Sequence, residues 1–234
     1  VPEERLAVLR EAFSKKGMRY LIKRYNPTDN ELLSLLYPDI HIADITFGVT
    51  YAIRFNRGSV YLDMGILGNA EEEFRMALNL NPRSPVAHLN IGFLYTKLPI
   101  PNWEEALNEF NLAIKLGLRE AEGYYNLGLA YFNLKKYSQA IEAIDNAILL
   151  DPNDFESFII RGSCHFNLSM DKRSVEEKEK AINDFTQAVI LAPEKNRDIL
   201  LQLQLPKDMI EEIDRRVKAR TDLGNKPTGN KSAS

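Results

Sequence analysis

Side chains able to do covalent or proton-transfer chemistry are few and scattered in this 234-residue chain. His41, His88 and His165 stand far apart, and no His/Glu spacing suited to a catalytic metal is present. Cys164 is the one cysteine, which excludes an internal disulfide and a cysteine-based metal cluster. It follows Ser163 in a segment patterned as a buried helix, where a small inert hydrophobe is its expected role. There is no glycine-rich phosphate loop and no nucleophile elbow. These absences point away from an enzyme, with no catalytic residue, metal or cofactor assigned. The polar side chains that do recur are amides. Asn56, Asn90 and Asn126 each stand two residues before a glycine (Gly58, Gly92, Gly128), and Ile160 takes that place before Gly162. An amide both donates and accepts, so such a series suits a peptide backbone of any sequence.

The elements that must position these amides follow from a period. Gly58, Gly92, Gly128 and Gly162 are spaced by 34, 36 and 34 residues, each with a ring three places on (Tyr61, Tyr95, Tyr131, His165). Small and large apolar residues follow in register: Ala70, Phe74 and Ala77; Ala106, Phe110 and Ala113; Ala140, Ile144 and Ala147; Ala181, Phe185 and Ala188. Pro82, Pro152 and Pro193 close three of the four units, because proline lacks the donor needed to continue a helix. Gly and Ala at matching heights let two antiparallel helices approach closely. Each hairpin stays apolar toward its successor, so the pattern predicts an array rather than a lone hairpin.

On these residues the chain resembles the tetratricopeptide-repeat family, with units at 51–84, 85–120, 121–154 and 155–195. The resemblance implies an all-α, right-handed α-solenoid of helix hairpins. Two departures stand out: extra residues around Leu98-Pro99-Ile100-Pro101, and a charged insertion over 169–177 that either extends the helices or forms a loop. The second unit also ends in Leu116-Gly117-Leu118 without a proline. In the family, the first helix of each pair lines a concave side. The resemblance therefore implies a peptide-binding set of Asn56, Asn90 and Asn126 with Phe55, Leu89, Phe93, Tyr125, Leu129, Phe132 and Ile159. Ser59, Ser163, Leu62 and Phe166 are their neighbours. Helices spaced by about 8–10 Å would let successive asparagines meet about every third residue of an extended ligand. Two alternatives stand beside this: asparagine recurs here simply as a repeat residue, and superhelical packing buries part of the apolar stripe. Relatives that clamp an acidic carboxylate use Lys, Asn and Arg where this chain has Phe55, Ser59, Glu122 and Asn126, so that activity is not expected. His88 and His165 fall at packing positions, and Trp103 opens a second helix where the family places a large packing residue, an interface role being the alternative.

Residues 1–50 read as an N-terminal helical extension. A helix over 3–25 carries Leu6, Leu9, Phe13, Leu21 and Ile22, with a break at Gly17. Thr28 and Glu31 have capping-box spacing, and Pro38 should end the short helix they open. Residues 196–222 are expected to form C-terminal capping helices, with Met209, Ile210, Ile213 and Val217 on one stripe. Residues 223–234 are expected to be a disordered tail. Seven Lys and Arg against three Glu give the first 26 residues +4, leaving −7 for the rest of a chain whose net charge is −3. The basic start is either a solvated face or a contact for an anionic lipid or acidic partner. Overall charge argues against nucleic acid as a partner, and no apolar run reaches a membrane span. The expected function is a non-catalytic adaptor holding a peptide or helix of another protein. The alternatives are an assembly scaffold using the convex face and N-terminal helices, with self-association open, and a regulatory domain of a longer catalytic chain. Absence of a visible signal makes the cytoplasm the expected compartment, while the start at Val1 leaves a removed leader open.

Overall fold

The structure, a computed structural model, describes residues 2–36, 47–193 and 202–224. Those residues form eleven helices: α1 (Glu3–Tyr25), α2 (Asp29–Leu36), α3 (Phe47–Asp63), α4 (Leu67–Leu80), α5 (Pro85–Thr96), α6 (Trp103–Lys115), α7 (Ala121–Asn133), α8 (Tyr137–Leu150), α9 (Phe155–Lys172), α10 (Val175–Leu191) and α11 (Lys207–Gly224). They fall into two compact units, Val1–Leu118 and Arg119–Ser234. His41 and Pro38, together with the expected tail beyond 224, lie outside the described residues.

In the first unit α3 pairs with α4 and α5 with α6, and the leading helices α3 and α5 touch. The pairing depends on glycine. A Cβ built on Gly58 would sit 2.7 Å from the Phe74 ring, and one on Gly92 would sit 2.6 Å from Phe110. No real Cβ tolerates that approach, so each glycine is the socket for the large residue of the following helix. Phe74 and Phe110 are fully buried, as are Ala70, Ala77, Ala106 and Ala113. Each such ring contributes about 2–3 kcal/mol relative to an exposed one. The missing proline after α6 is replaced by a glycine stop. Gly117 adopts φ 108°, its N–H donates to Ile114 O, and Leu118 N–H donates to Ala113 O. That is a Schellman ending, with Leu118 buried beside the last turn.

The N-terminal helices cover this unit's first hairpin. Gly17 leaves helical geometry at φ 76°, ψ 176°, so α1 is two segments about a break. The first segment sends Leu9 and Ala12 into a cluster with Leu21, Leu32 and Ile53. The second places Ile22 against Tyr61 and Phe74. Thr28 and Glu31 cap α2 reciprocally: Thr28 N–H donates to Glu31 Oε2 at 2.8 Å, and Glu31 N–H donates to Thr28 Oγ1 at 3.3 Å. Phe13 departs from the expected stripe and is 36% exposed.

The second unit repeats the design with α7/α8 and α9/α10, and α7 touches α9. Gly128 receives Ile144 and Gly162 receives Phe185. The 169–177 insertion lengthens both helices of the last hairpin: α9 runs to Lys172, Arg173 turns at φ 50°, and Ser174 caps α10 by accepting from Glu177 N–H. On the open face of α10, Met209 and Ile213 of α11 are fully buried with Phe185 and Ile182. Lys178–Asp208 and Arg216–Glu179 pairs flank that seam.

Candidate functional site on the leading helices

Each leading helix gives one face to the plug of its second helix, and part of what remains carries side chains with surface for a ligand. In the first unit that face shows Asn56 exposed and Phe55, Asn90 and Phe93 half-buried. Phe55 lies between Tyr51, stacked at 6.0 Å, and the core ring of Phe74 at 5.8 Å. Lys97 Nζ sits 4.7 Å over the Phe93 ring. Asn90 Nδ2 donates to Val86 O at 2.9 Å. Leu89 is only 6% exposed and offers a ligand almost no surface. In the second unit Tyr125, Leu129 and Phe132 are half-buried, with the Phe132 ring 5.9 Å from Tyr137. Burial, with Glu156 and Asp154 adding to it, pushes the Tyr125 phenol up to about 12, so it stays a neutral donor at any working pH.

Two further members of the expected set are enclosed as Leu89 is. Asn126 is 5% exposed and Ile159 is 8% exposed, Ile159 lying in a cluster with Phe158 and Ala188 against which Ile148 and Leu203 pack. Seven of the ten expected residues therefore keep accessible surface, and three belong to packing. An equal ladder of Asn56, Asn90 and Asn126 is not what the side chains form: the first is exposed, the second half-exposed and bound back to its own helix, the third enclosed.

His88, His165 and Cys164 are consumed by structure. His88 presents Nδ1 to Glu109 at 2.7 Å and Nε2 to Pro82 O at 3.2 Å. His165 Nδ1 meets Glu177 at 2.6 Å, and that bond holds the Glu177 carboxyl below its ordinary range. Burial, reinforced by Asp184, pushes the Cys164 thiol up to about 12, far from a reactive thiolate. Among the described residues no three His, Cys, Asp or Glu side chains cluster as a metal site. None of the described helices is long and apolar enough to cross a membrane.

A set of buried pairs between helices had not been expected from sequence. Glu73, 5% exposed, receives Arg54 at 3.1 Å and Arg57 at 2.7 Å. Asp184, 6% exposed, receives Arg161 through two bonds of 3.0 and 2.7 Å, while Arg161 also reaches Asp145 at 2.6 Å. The sequence signal was present: Arg57 and Arg161 immediately precede the socket glycines, where the third hairpin has Leu127, and Glu73 and Asp184 immediately precede the plugs Phe74 and Phe185, where it has Ala143.

Comparison with known proteins agrees with this architecture. Two tetratricopeptide-repeat models match residues 51–84 and 121–154. The chain is 30% identical over 87 residues to small glutamine-rich tetratricopeptide repeat-containing protein 2 of Mycosarcoma maydis, covering 37% of this chain and 24% of that protein. It is 27% identical over 101 residues to human (Homo sapiens) RNA polymerase II-associated protein 3, covering 43% and 15%. The matched region thus spans a quarter or less of these relatives. Among solved structures, MamA superposes with TM-score 0.59 at 19% identity, covering 81% of this chain and 97% of that one. YrrB, a tetratricopeptide-repeat protein with an unusual peptide-binding site, gives 0.56 at 20% identity over 72% and 86%. The socket glycines, the plugs that fill them and the two matched hairpins together make this chain an all-α tetratricopeptide-repeat protein.

Proposed function

We propose that the chain is a non-catalytic adaptor that holds a peptide or helical segment of another protein against its leading helices. The observation that carries the reading is the half-buried apolar surface each unit keeps on its own leading helices: Phe55 and Phe93 on α3 and α5 in the first, and Tyr125, Leu129 and Phe132 on α7 in the second. Half-buried apolar side chains on one helix face have surface left to lose, and a partner helix or strand is the usual way to cover it. Peptides selected by display against the full chain are expected to bind wild type and to lose affinity on Phe93→Ala or Leu129→Ala, with circular dichroism unchanged. Unchanged affinity in both variants would overturn the reading. The scaffold alternative draws on Val8, 46% exposed, and Phe13 beside the basic residues of α1; under it, substitutions on the leading helices are silent.

A further inference from the structure

Several amides and hydroxyls of the leading helices spend their donors on their own backbone. Asn133 Nδ2 donates to Leu129 O and Asn167 Nδ2 to Ser163 O, each at 2.8 Å. Asn90 does the same in the first unit, and the hydroxyls of Ser59 and Thr96 donate to Phe55 O and Phe93 O. A carbonyl oxygen only accepts, so the amide orientations are fixed: nitrogen faces the helix and Oδ1 faces out. Each of these hydroxyls is left with lone pairs alone.

Charge in the second unit adds to the same bias. Helix α7 contains no Lys or Arg, and its one charged residue is Glu122. On α9, Glu156 is exposed in the first turn, Arg161 is drawn off to Asp184 and Asp145, and Lys172 stands at the opposite end. Helix N-termini ordinarily attract anions. That of α9 is already answered by Asp154, which accepts from Glu156 N–H and Ser157 N–H. Glu122 and Glu156 therefore remain as carboxylates without a cation in either helix's own middle. Tyr125, whose phenol the nearby Glu156 and Asp154 push further up, stands half-buried on α7 about one turn from Glu122 on one side and from the apolar Leu129 on the other, with Phe132 a turn beyond.

On the adaptor reading above, we propose that the α7–α9 face of the second unit takes a basic segment of a partner protein. A Lys or Arg is received by Glu122, Glu156 and the face of Tyr125, and an adjoining apolar residue lies against Leu129 and Phe132. An acidic segment would meet carboxylates and outward carbonyls, with the neutral Tyr125 hydroxyl but no cation on α7 to answer its charge, so the surface selects by charge as well as by shape. A guanidinium or ammonium instead supplies donors to every acceptor and a cation to the ring.

The test is selection of a random 12-residue displayed peptide library on the full chain, followed by affinity measurements on synthetic members. The selected pool is expected to be enriched in Lys and Arg beside apolar residues. Glu122→Gln/Glu156→Gln, both exposed and so without effect on folding, is expected to weaken a basic member about tenfold, the loss of two exposed charge pairs, and to flatten its salt dependence. A pool rich in Asp and Glu or without charge bias, or binding indifferent to the double Gln variant, would overturn the inference. The adaptor reading survives that outcome if Leu129→Ala still weakens binding. If neither Leu129→Ala nor Phe93→Ala affects any selected peptide, both fall together.

Discussion

Arg161 and Asp184 give the sharpest test of how the last hairpin is held. Arg161→Leu removes the two bonds to Asp184 and leaves a carboxylate that is 6% exposed without its counter-ion. Breaking a buried pair from one side costs about 3–5 kcal/mol. A second route gives the same size: neutralising a carboxyl of ordinary pKa 3.8 at pH 7 costs about 4 kcal/mol at about 1.4 kcal/mol per pH unit, which caps the penalty. Asp184→Ala is milder, about 1 kcal/mol, because Arg161 keeps Asp145, which is 53% exposed, and can turn toward water. The double variant Arg161→Leu/Asp184→Ala copies what the third hairpin does with Leu127 and Ala143, both buried. It should lose only about 1–2 kcal/mol, so the two singles couple by about 3 kcal/mol. Urea midpoints of the four proteins at pH 7, with equal slopes, read this directly. A pH series adds a signature. Burial already raises the Asp184 carboxyl, Arg161 opposing it, and removing Arg161 raises it further. A raised carboxyl gives its full contribution below its unfolded value and loses it as pH rises through the folded one. Arg161→Leu should therefore recover toward wild type on acidification from pH 7. Additive singles, or an Arg161→Leu midpoint indistinguishable from wild type, would refute this account of the pair.

Two further measurements bear on the same unit. Glu177, held low by the His165 hydrogen bond, contributes stability above its unfolded value of 4.5 and loses it as pH falls through the lower folded value. The gap between wild type and Glu177→Gln in urea should accordingly be full near neutrality and shrink below about pH 4.5; a gap that widens in acid contradicts the assignment. Lys135 ends α7 at φ 57°, doing with a side chain what Gly65 does at φ 72° after α3. Lys135→Gly relieves a left-handed strain of about 1–2 kcal/mol against a smaller entropy cost in the unfolded chain. A melting temperature raised by about 2–4 °C is expected, and a lowered one would show that Lys135 is not strained.

The parts of the fold legible in sequence are those where chemistry admits one residue type. Gly58, Gly92, Gly128 and Gly162 recur because nothing larger clears the ring or isoleucine opposite. Gly17 marked the break in α1 for a related reason, since its φ of 76° is open to few other residues. The form of the 169–177 insertion was harder to read. The signal lay in Ser174 and Glu177, whose cap starts α10, but Glu177 sends its carboxylate to His165 rather than back to the cap. Ile159 shows why accessibility was less legible than position. Its place in the repeat is that of a lining residue, but Leu203 packs against its cluster from 44 positions away in the chain. A local pattern fixes which face a residue occupies on its own helix and says nothing about what the rest of the chain lays over it. The buried ion pairs escaped for the same reason, their partners lying 16 to 23 residues apart.

The buried pairs and the proposed binding surface are linked through Arg161. It is the one cation in the middle of α9, and Asp184 and Asp145 hold it toward α10 and α8. The interaction that fastens the last hairpin thereby strips positive charge from the leading face and leaves Glu156 and Glu122 to set its sign. A structural ion pair can in this way decide ligand charge without touching the ligand. The double variant separates the two roles, since it removes one cation and one anion together and leaves Glu122, Glu156 and Tyr125 in place. Basic peptides should bind it as they bind wild type. A change in their affinity would mean that Arg161 faces the ligand rather than the hairpin interior.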